Sequence, residues 1–352
     1  MERAAFELSR NLAKLTEIKL IKWGGSNKWL PFVLPYLVLR GIWSLFTSDI
    51  QAIYLQDGLL APLGVILKLF TRKPVFITLH GRDITYDNAL YQSVIPKCLR
   101  RLDRVICVSE ATKVQSTNRR IDLKKVSIIP NGISDEYYRG DEKNKLKKQL
   151  AKELALDICT EKILLSVGRL VERKGIHWFI ERVLPLLNDN KDDYIYLVTG
   201  NGAFFGIIED IIRKVGLSQN VLMLGQVEEK TLKLIYNASD VFIMPNIPVR
   251  GDMEGFGLVA LEAASCGLPV IASDFEGIKD AICDGENGFL VEPGNPQAFV
   301  NKINELLGDD NMRRDFGEKA REYTLENYGW DKTAREYVKE FNNLTKNSQV
   351  RK

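Results

Sequence analysis

Cysteine and histidine are scarce in this sequence, with five of the first and two of the second among 352 residues. The cysteines are Cys98, Cys107, Cys159, Cys266 and Cys283. Their number is odd, and no two of them have the CxxC spacing that is typical of zinc or redox sites. We therefore expect no metal site and no disulfide framework, but reduced thiols in a cytoplasmic protein.

The sequence also lacks an apolar run long enough to span a bilayer. The most apolar early segment, WLPFVLPYLVL from Trp29 to Leu39, contains two prolines and is followed by Arg40. This pattern favours a buried or interfacial helix. The opening MERAAFELSRNL predicts an amphipathic helix and does not have the apolar core of a signal peptide.

Acidic residues are few in the first part of the chain. Residues 1–150 contain 25 Lys and Arg against 14 Asp and Glu, whereas residues 151–352 contain 24 against 32. The first part therefore has a net charge of 25 − 14 = +11 and the second one of 24 − 32 = −8. The imbalance indicates either a solvated basic face or an anionic partner such as a membrane surface, a lipid phosphate or nucleic acid.

Short apolar runs alternate with helical patterns along the chain, and this predicts parallel sheets with helices on both faces. A charged helical stretch from Asp141 to Leu156 separates two series of such runs, so we expect two doubly wound domains joined near residues 134–161. We place them at residues 1–150 and 151–326. The predicted strands are 51–56, 75–80, 104–109, 126–132, 162–169, 194–200, 220–225, 240–245, 268–273 and 287–292.

Ligands of such sheets bind beyond the carboxyl ends of the strands. The segment SVGRLVERKG follows the first strand of the second series, and Arg169 and Lys174 in it suit a diphosphate group. Two solvated bases on a loop are the alternative. His80 also ends a strand, which favours a functional role over a satisfied core histidine, whereas His177 is expected at the start of a helix.

The segment GDMEGFGLVALEAASCG follows another strand and predicts a helix entered through glycines. Its free N–H groups suit an anion or sugar hydroxyls, with Glu254 at the mouth of the site. Glu262 lies in an apolar run, where a carboxylate needs a partner such as a ribose diol. A buried structural role for Glu262 and a helix cap for Glu254 are the alternatives. The acidic pair Asp192–Asp193 precedes a strand, and we interpret it as a solvated turn rather than a metal site.

These segments together resemble the family-4, or group 1, retaining glycosyltransferases, which have two Rossmann-like domains in the GT-B fold. EGFGLVALE resembles their E-x7-E signature, SVGRLVERKG their diphosphate loop and LHGRD their histidine-bearing strand end. IPNGI resembles the segment before their interdomain linker. The long stretch GLPVIASDFEGIKDAICDGENGFLVEPGNPQAF continues the match, and YGWDKTAREYVKEF resembles their closing helix, at about residues 327–345, which packs back on the first domain.

The resemblance implies the roles of individual residues. Arg169 and Lys174 would neutralise the donor diphosphate, and Glu262 would bind the ribose. Glu254 would hold the donor sugar and distal phosphate together with the main chain of the glycine-rich helix start. His80 would contact the donor sugar near its reacting face, and the loop around Gln226 and Val227 would meet the base. The full donor-binding set is Gly168, Arg169, Lys174, Gln226, Val227, Glu254, Gly255, Phe256, Gly257, Leu258 and Glu262, and the catalytic set is His80, Arg169, Lys174 and Glu254.

The implied partners are a nucleotide-diphosphate sugar and a glycan or lipid-linked acceptor, with no metal, no further cofactor and no nucleic acid. The basic segments KCLRRLDR and NRRIDLKK suggest a peripheral enzyme on an anionic membrane. Members of the family usually begin with a strand and a Gly-Gly turn, and that strand is missing here. We therefore expect either a longer natural chain or a weakened first domain, and a non-catalytic nucleotide-sugar binder is the alternative function. A related GT-B epimerase or phosphorylase is a further alternative, but the E-x7-E spacing favours a transferase. A dehydrogenase is disfavoured because the sequence has no GxGxxG followed by an acidic residue.

Overall fold

A computed structural model describes residues 2–23, 25, 29–138, 140, 142–155, 161–188 and 194–350. The expectations for Asp141, Leu156, Cys159 and Asp192–Asp193 fall outside these residues. The chain divides into two compact units, of which the first is Met1–Gly132 with Trp330–Lys352 and the second is Ile133–Gly329. The domain limits 1–150 and 151–326 stay predictions.

Every strand predicted from the apolar runs is present in the described residues, and each is shorter than the run that predicted it. The strands are β1 (Ile53–Leu55), β2 (Val75–Leu79), β3 (Arg104–Cys107), β4 (Val126–Ile128), β5 (Lys162–Val167), β6 (Tyr194–Thr199), β7 (Val221–Gly225), β8 (Val241–Met244), β9 (Val270–Ser273) and β10 (Phe289–Val291).

Helices connect the strands and account for most of the remaining described chain. They are α1 (Glu2–Leu12), α2 (Leu30–Thr47), α3 (Ala61–Phe70), α4 (Arg82–Thr85), α5 (Ala89–Leu99), α6 (Glu110–Asn118), α7 (Lys143–Leu154), α8 (Ile176–Arg182), α9 (Leu184–Asn188), α10 (Phe205–Lys214), α11 (Glu229–Ala238), α12 (Leu258–Ser265), α13 (Ile278–Ala281), α14 (Pro296–Gly308), α15 (Asp310–Tyr328) and α16 (Trp330–Val350).

The first unit is a parallel sheet in the order β1-β2-β3-β4 with helices on both faces. Successive residues of a strand point to opposite faces. In β2, Val75 and Ile77 accordingly pack with the cluster of α2, α3 and α5, whereas Phe76 packs with α1 and α16. The described residues before Ile53 contain no strand.

The second unit is a parallel sheet in the order β10-β9-β8-β5-β6-β7. Its two faces are again covered. Leu164, Tyr196 and Ile243 pack with α8, α10 and α14 on one face, while Leu165 and Phe242 pack on the other. Two parallel, doubly covered α/β units confirm the predicted fold class.

The helix α2 is apolar on both its buried and its exposed sides. Its Leu37 is buried in the cluster of the first unit, and Gly41 approaches α3 so closely that an added Cβ would lie 3.0 Å from Leu67 Cδ2. In the part of the chain that the structure describes, none of the helices combines the length and hydrophobicity that a membrane crossing requires.

Candidate active site

The strand order of the second sheet reverses between β5 and β8, and this position determines where its functional loops meet. From β5 the chain proceeds outward through β6 and β7, then returns to add β8 on the other side of β5. In open parallel sheets, the loops on either side of such a switch point form the ligand crevice at the carboxyl ends of the strands. Here those loops are residues 168–175 after β5 and residues 245–257 after β8.

An ion pair joins these two loops. Lys174 Nζ lies 2.5 Å from Glu254 Oε2, and both side chains are only 11% exposed. Burial alone opposes ionisation of Glu254, but the charges of Lys174 and Arg173 outweigh it and hold the pKa of Glu254 below its ordinary value. The predicted pair of functional residues is therefore brought into direct contact, with Glu254 ionised.

Two further residues complete the surroundings of Glu254. Arg173 Nη1 lies 3.6 Å from Glu254 Oε2, and the amide of Asn246 donates a hydrogen bond of 3.0 Å to the same oxygen. Arg173 also lies 3.3 Å from Asp252 Oδ1. Two cations and an amide donor thus converge on one carboxylate, which is more positive charge than a helix-capping role would require.

Glu276, in the loop after β9, also belongs to this site. Its Oε2 accepts a hydrogen bond of 2.6 Å from the main-chain N–H of Glu254. Its backbone has φ +44°, which is uncommon for a residue with a side chain. Burial and the neighbouring charge of Glu254 raise the pKa of Glu276 to about 7, against the opposing effect of its hydrogen bond from Glu254. A strained residue with a perturbed carboxyl is typical of functional sites.

Close backbone contact fixes the two loops against each other. Gly175 has φ +65°, and a Cβ at this position would lie 1.9 Å from the carbonyl oxygen of Pro245. The N–H of Ile247 donates to the carbonyl oxygen of Arg173 over 3.0 Å. Only glycine satisfies both the conformation and the approach, so Gly175 holds the Lys174 loop against the end of β8.

The glycine-rich segment enters α12 as predicted. Gly257, with φ +84°, precedes the first helical residue, Leu258. Gly255, Phe256 and Gly257 are buried. Gly277 approaches them so closely that an added Cβ would lie 2.1 Å from the carbonyl oxygen of Gly255. The start of α12 and the loop after β9 are thus held together by main-chain contact.

Glu262 lies in α12 and is 7% exposed. Its two carboxylate oxygens accept hydrogen bonds from Tyr137 at 3.2 Å and from Tyr236 at 2.9 Å. The buried carboxylate therefore has partners within the protein.

The remaining predicted donor-binding residues follow neighbouring strands at the same edge. Gly168 and Arg169 come directly after β5, and the side chain of Arg169 is exposed. Gln226 and Val227 follow β7 at the end of the sheet, where Gln226 is exposed and Val227 is half-buried. All of these residues lie beyond carboxyl ends of strands in the second unit.

His80 lies in the first unit, after β2. Its Nε2 lies 3.2 Å from the carbonyl oxygen of Gln56, so Nε2 carries the proton and donates it. Burial lowers the pKa of His80 to about 4, and the ring is neutral near pH 7. Asp83 accepts hydrogen bonds from the N–H groups of His80 and Gly58, and burial and nearby Asp57 raise the pKa of Asp83 to about 7. His177 is the second residue of α8, as expected.

Arg173, Asn246 and Glu276 are the residues of this site that the sequence analysis missed. Arg173 stands between the predicted site residues Arg169 and Lys174 in RLVERK, and that position is the only signal that could have revealed it. Asn246 and Glu276 carry no pattern of their own. In the described ranges, no three His, Cys, Asp or Glu side chains are grouped so that they could hold a metal ion.

A parallel α/β domain with charged loops at its switch point is typical of proteins that bind nucleotides. The family model of glycosyl transferases group 1 matches residues 141–323, and that of glycosyltransferase family 4 matches residues 1–137. The chain therefore belongs to the group 1 glycosyltransferases and is a glycosyltransferase, as its motifs indicated.

Similar proteins agree with this assignment. An uncharacterised glycosyltransferase of Methanocaldococcus jannaschii is 29% identical over 82% of this chain and 74% of its own length. A GDP-mannose-dependent alpha-(1-6)-phosphatidylinositol monomannoside mannosyltransferase of Mycolicibacterium smegmatis is 25% identical over 80% of this chain and 74% of its own. Among solved structures, Anabaena HepE in complex with UDP and glucose is similar in fold, with a TM-score of 0.75, 20% identity and coverage of 92% and 84% of the two chains.

Proposed function

We propose that this protein transfers a hexose from a nucleotide-diphosphate sugar to a glycan or lipid-linked acceptor, with retention of anomeric configuration and without a metal ion. The observation that carries the proposal is the buried contact of Lys174 with Glu254 at the switch point of the second sheet. This contact supports the proposal because a lysine suits phosphate, a carboxylate suits sugar hydroxyls, and the two side chains are adjacent.

The names of similar proteins support a donor of this class. The mycobacterial relative is GDP-mannose-dependent and acts on a phosphatidylinositol mannoside by its name. The Anabaena structure contains UDP and glucose. These names include two different bases and one lipid acceptor, so we propose a nucleotide-diphosphate hexose as the donor without choosing its base. The reduced thiols expected from the sequence fit a cytoplasmic enzyme supplied with such donors.

In this proposal Arg169 and Lys174 neutralise the diphosphate and stabilise it as the leaving group. The exposed guanidinium of Arg169 suits bidentate contact with phosphate oxygens. Lys174 supplies a buried positive charge, and Arg173 helps it to balance Glu254. In this proposal these cations take the charge-screening role that a divalent ion has in a metal-dependent enzyme.

The other side chains position the donor. Glu254, together with the main chain at Phe256, Gly257 and Leu258, holds the donor sugar and the distal phosphate. Glu262 accepts hydrogen bonds from the ribose hydroxyls, while Tyr137 and Tyr236 keep its carboxylate in place.

Two segments complete the proposed donor contacts. The loop at Gln226 and Val227 meets the base. His80, with its Nε2 proton committed to Gln56, presents a neutral ring to the sugar.

The transfer step needs no covalent enzyme intermediate. The acceptor oxygen bonds to the anomeric carbon on the face from which the diphosphate departs, and the carbon–oxygen bond to the distal phosphate breaks. The acceptor proton passes to an oxygen of the departing phosphate. Positive charge beside that phosphate lowers the barrier because negative charge accumulates there in the transition state.

Thermal unfolding with UDP, GDP, ADP and NAD tests the donor site. A ligand present at a hundred times its dissociation constant adds about 2.7 kcal/mol to the apparent free energy of unfolding. We expect stabilisation by UDP or GDP that is lost in Arg169→Ala and Glu262→Gln. Arg182→Ala, which removes an exposed arginine from α8, is the matched control and should keep the response. Equal stabilisation of the wild type and all three variants, or no stabilisation by any nucleotide, contradicts the proposal.

Product analysis tests the chemistry. With the matching sugar nucleotide and an acceptor mixture, the anomeric configuration of the product should equal that of the donor by NMR, and EDTA should leave the rate unchanged. Nucleotide binding without turnover in any acceptor mixture would instead favour a non-catalytic binder.

A further inference from the structure

An exposed apolar stripe runs along α2 in the first unit. Phe32, Tyr36, Leu39, Trp43 and Phe46 are 74%, 54%, 69%, 70% and 74% exposed. Their spacing of four, three, four and three residues places them on one side of the helix. A helix on the surface of a globular domain normally presents polar residues on that side, so this stripe requires an explanation.

The opposite side of α2 is fixed to the protein, which holds the stripe outward. Leu37 is buried, and Ile42 and Leu45 pack against the same cluster. Gly41 lets α2 approach Leu67 of α3 closely. The buried side of α2 is therefore already packed on the first unit, and the stripe is a separate, exposed side of the helix.

The segment that contains the stripe carries only positive charge in the sequence, between Glu17 and Asp49. Residues 18–48 contain no Asp or Glu, but contain Lys19, Lys22, Lys28 and Arg40. Arg40 donates a hydrogen bond of 2.8 Å to the hydroxyl of Tyr36, and Lys19 donates one of 3.0 Å to Ser48 at the end of α2. Cations thus lie both on the stripe and at the end of its helix.

We propose that the α2 stripe is the surface by which this protein binds an anionic lipid bilayer. Large aromatic residues in contact with basic side chains match the boundary between acyl chains and anionic headgroups. With 18 residues and no helix suited to crossing a bilayer in the described chain, α2 lies on the membrane rather than through it. The end of the neighbouring helix α3 adds exposed Leu69 and Phe70, followed by Arg72 and Lys73.

The proposal differs from the expectation drawn from the basic segments at 97–104 and 118–125. Those segments contain cations but few exposed large apolar side chains, with Leu123 as their one such residue. Electrostatic attraction alone is weak at physiological salt, whereas burial of aromatic side chains is insensitive to salt. The α2 stripe combines both contributions.

The test is sedimentation of the full chain with vesicles of phosphatidylcholine containing phosphatidylglycerol, and with vesicles of phosphatidylcholine alone. We expect binding to the first and much weaker binding to the second. The stripe variant Phe32→Gln/Trp43→Gln/Phe46→Gln should bind at least about tenfold more weakly, since it removes three interfacial anchors while keeping helix-forming residues. The matched control Val114→Gln/Leu123→Gln/Ile207→Gln removes three exposed apolar residues elsewhere and should bind as the wild type does.

Two further measurements separate the alternatives. On addition of vesicles, tryptophan emission should shift to shorter wavelength. Because the exposed Trp29 contacts Phe32 of the stripe, the conservative variant Trp29→Phe/Trp43→Phe should lose most of that shift while still sedimenting with the vesicles. Sedimentation velocity without lipid should show the same oligomeric state for the wild type and the stripe variant. If the stripe variant only dissociates a dimer, or if Arg101→Gln/Lys124→Gln abolishes vesicle binding while the stripe variant does not, the proposal is wrong. No step of this test depends on nucleotide binding.

Discussion

At the scale of single residues, the site contains two carboxyl groups whose pKa values their surroundings shift in opposite directions. Lys174 and Arg173 hold the pKa of Glu254 down despite its burial, whereas burial raises the pKa of Glu276 to about 7. The main-chain N–H of Glu254 binds Glu276, so the two are directly connected. Carboxyls with separated pKa values in one site are typical of catalytic arrangements.

The raised pKa of Glu276 gives a stability effect of defined sign. Between its ordinary value of 4.5 and about 7, the folded state binds more protons at this residue than the unfolded state does. Its contribution to the free energy of unfolding therefore falls as the pH rises through that window. Glu276→Gln removes this titration. In urea unfolding, the free energy of unfolding of the variant minus that of the wild type should therefore increase as the pH is raised from 5 to 8. A difference that is constant with pH would contradict this assignment.

The Lys174–Glu254 pair should show strong coupling in stability. Removing one member of a buried ion pair leaves a buried charge without its partner and typically costs about 3 kcal/mol or more. We expect such a loss for Lys174→Met in urea unfolding and a smaller loss for Lys174→Met/Glu254→Gln, which removes both charges. If the two single losses simply add in the double variant, the side chains are not coupled.

Sequence reasoning could identify Lys174 and Glu254 because each stands beside glycines at a strand end. It could not find Asn246 or Glu276, whose importance comes from contacts between loops that are distant in the chain. Glu276 has φ +44°, a conformation that a sequence pattern assigns to glycine rather than to glutamate.

At the scale of elements, glycine determines how the loops after β5 and β8 fit together. Gly175→Ala would place a Cβ 1.9 Å from the Pro245 oxygen at φ +65°. We expect a loss of about 2–4 kcal/mol in free energy of unfolding, from both the conformation and the overpacking. The matched control is Gly206→Ala in α10, where an added Cβ meets nothing within 4 Å and should raise stability by up to about 1 kcal/mol. Similar effects of both substitutions would contradict this role for Gly175.

The strands were predictable from the sequence, but the sequence did not predict which side of some helices is buried and which is exposed. Buried parallel strands are short continuous apolar runs, and VFITLH and DVFIMP illustrate how clearly these stand out. The apolar sequence of α2 indicated a buried or interfacial helix, but only the structure shows that Leu37 faces the core while Trp43 faces outward. Hydrophobicity without periodicity does not assign a face.

At the scale of the whole molecule, the chain leaves the first unit at Gly132 and returns to it at Trp330. The returning helix α16 packs on the first sheet through Tyr337, which is 2% exposed. The Tyr337 hydroxyl lies 2.9 Å from Thr78 Oγ1, which in turn lies 2.8 Å from the hydroxyl of Tyr54. This network joins α16 to β1 and β2.

Tyr337→Ala should therefore weaken the first unit selectively. Loss of a buried aromatic side chain costs about 3–5 kcal/mol, and the hydroxyl of Thr78 also loses a partner. Hydrogen exchange followed by mass spectrometry should show faster exchange in β1 to β4, with β5 to β10 nearly unchanged. Tyr337→Phe, which keeps the ring and removes only the hydroxyl, is the control and should cost about 1 kcal/mol. Faster exchange of equal size in both sheets would show that they unfold as one cooperative unit, and the closing helix would then stabilise the whole chain rather than the unit on which it packs.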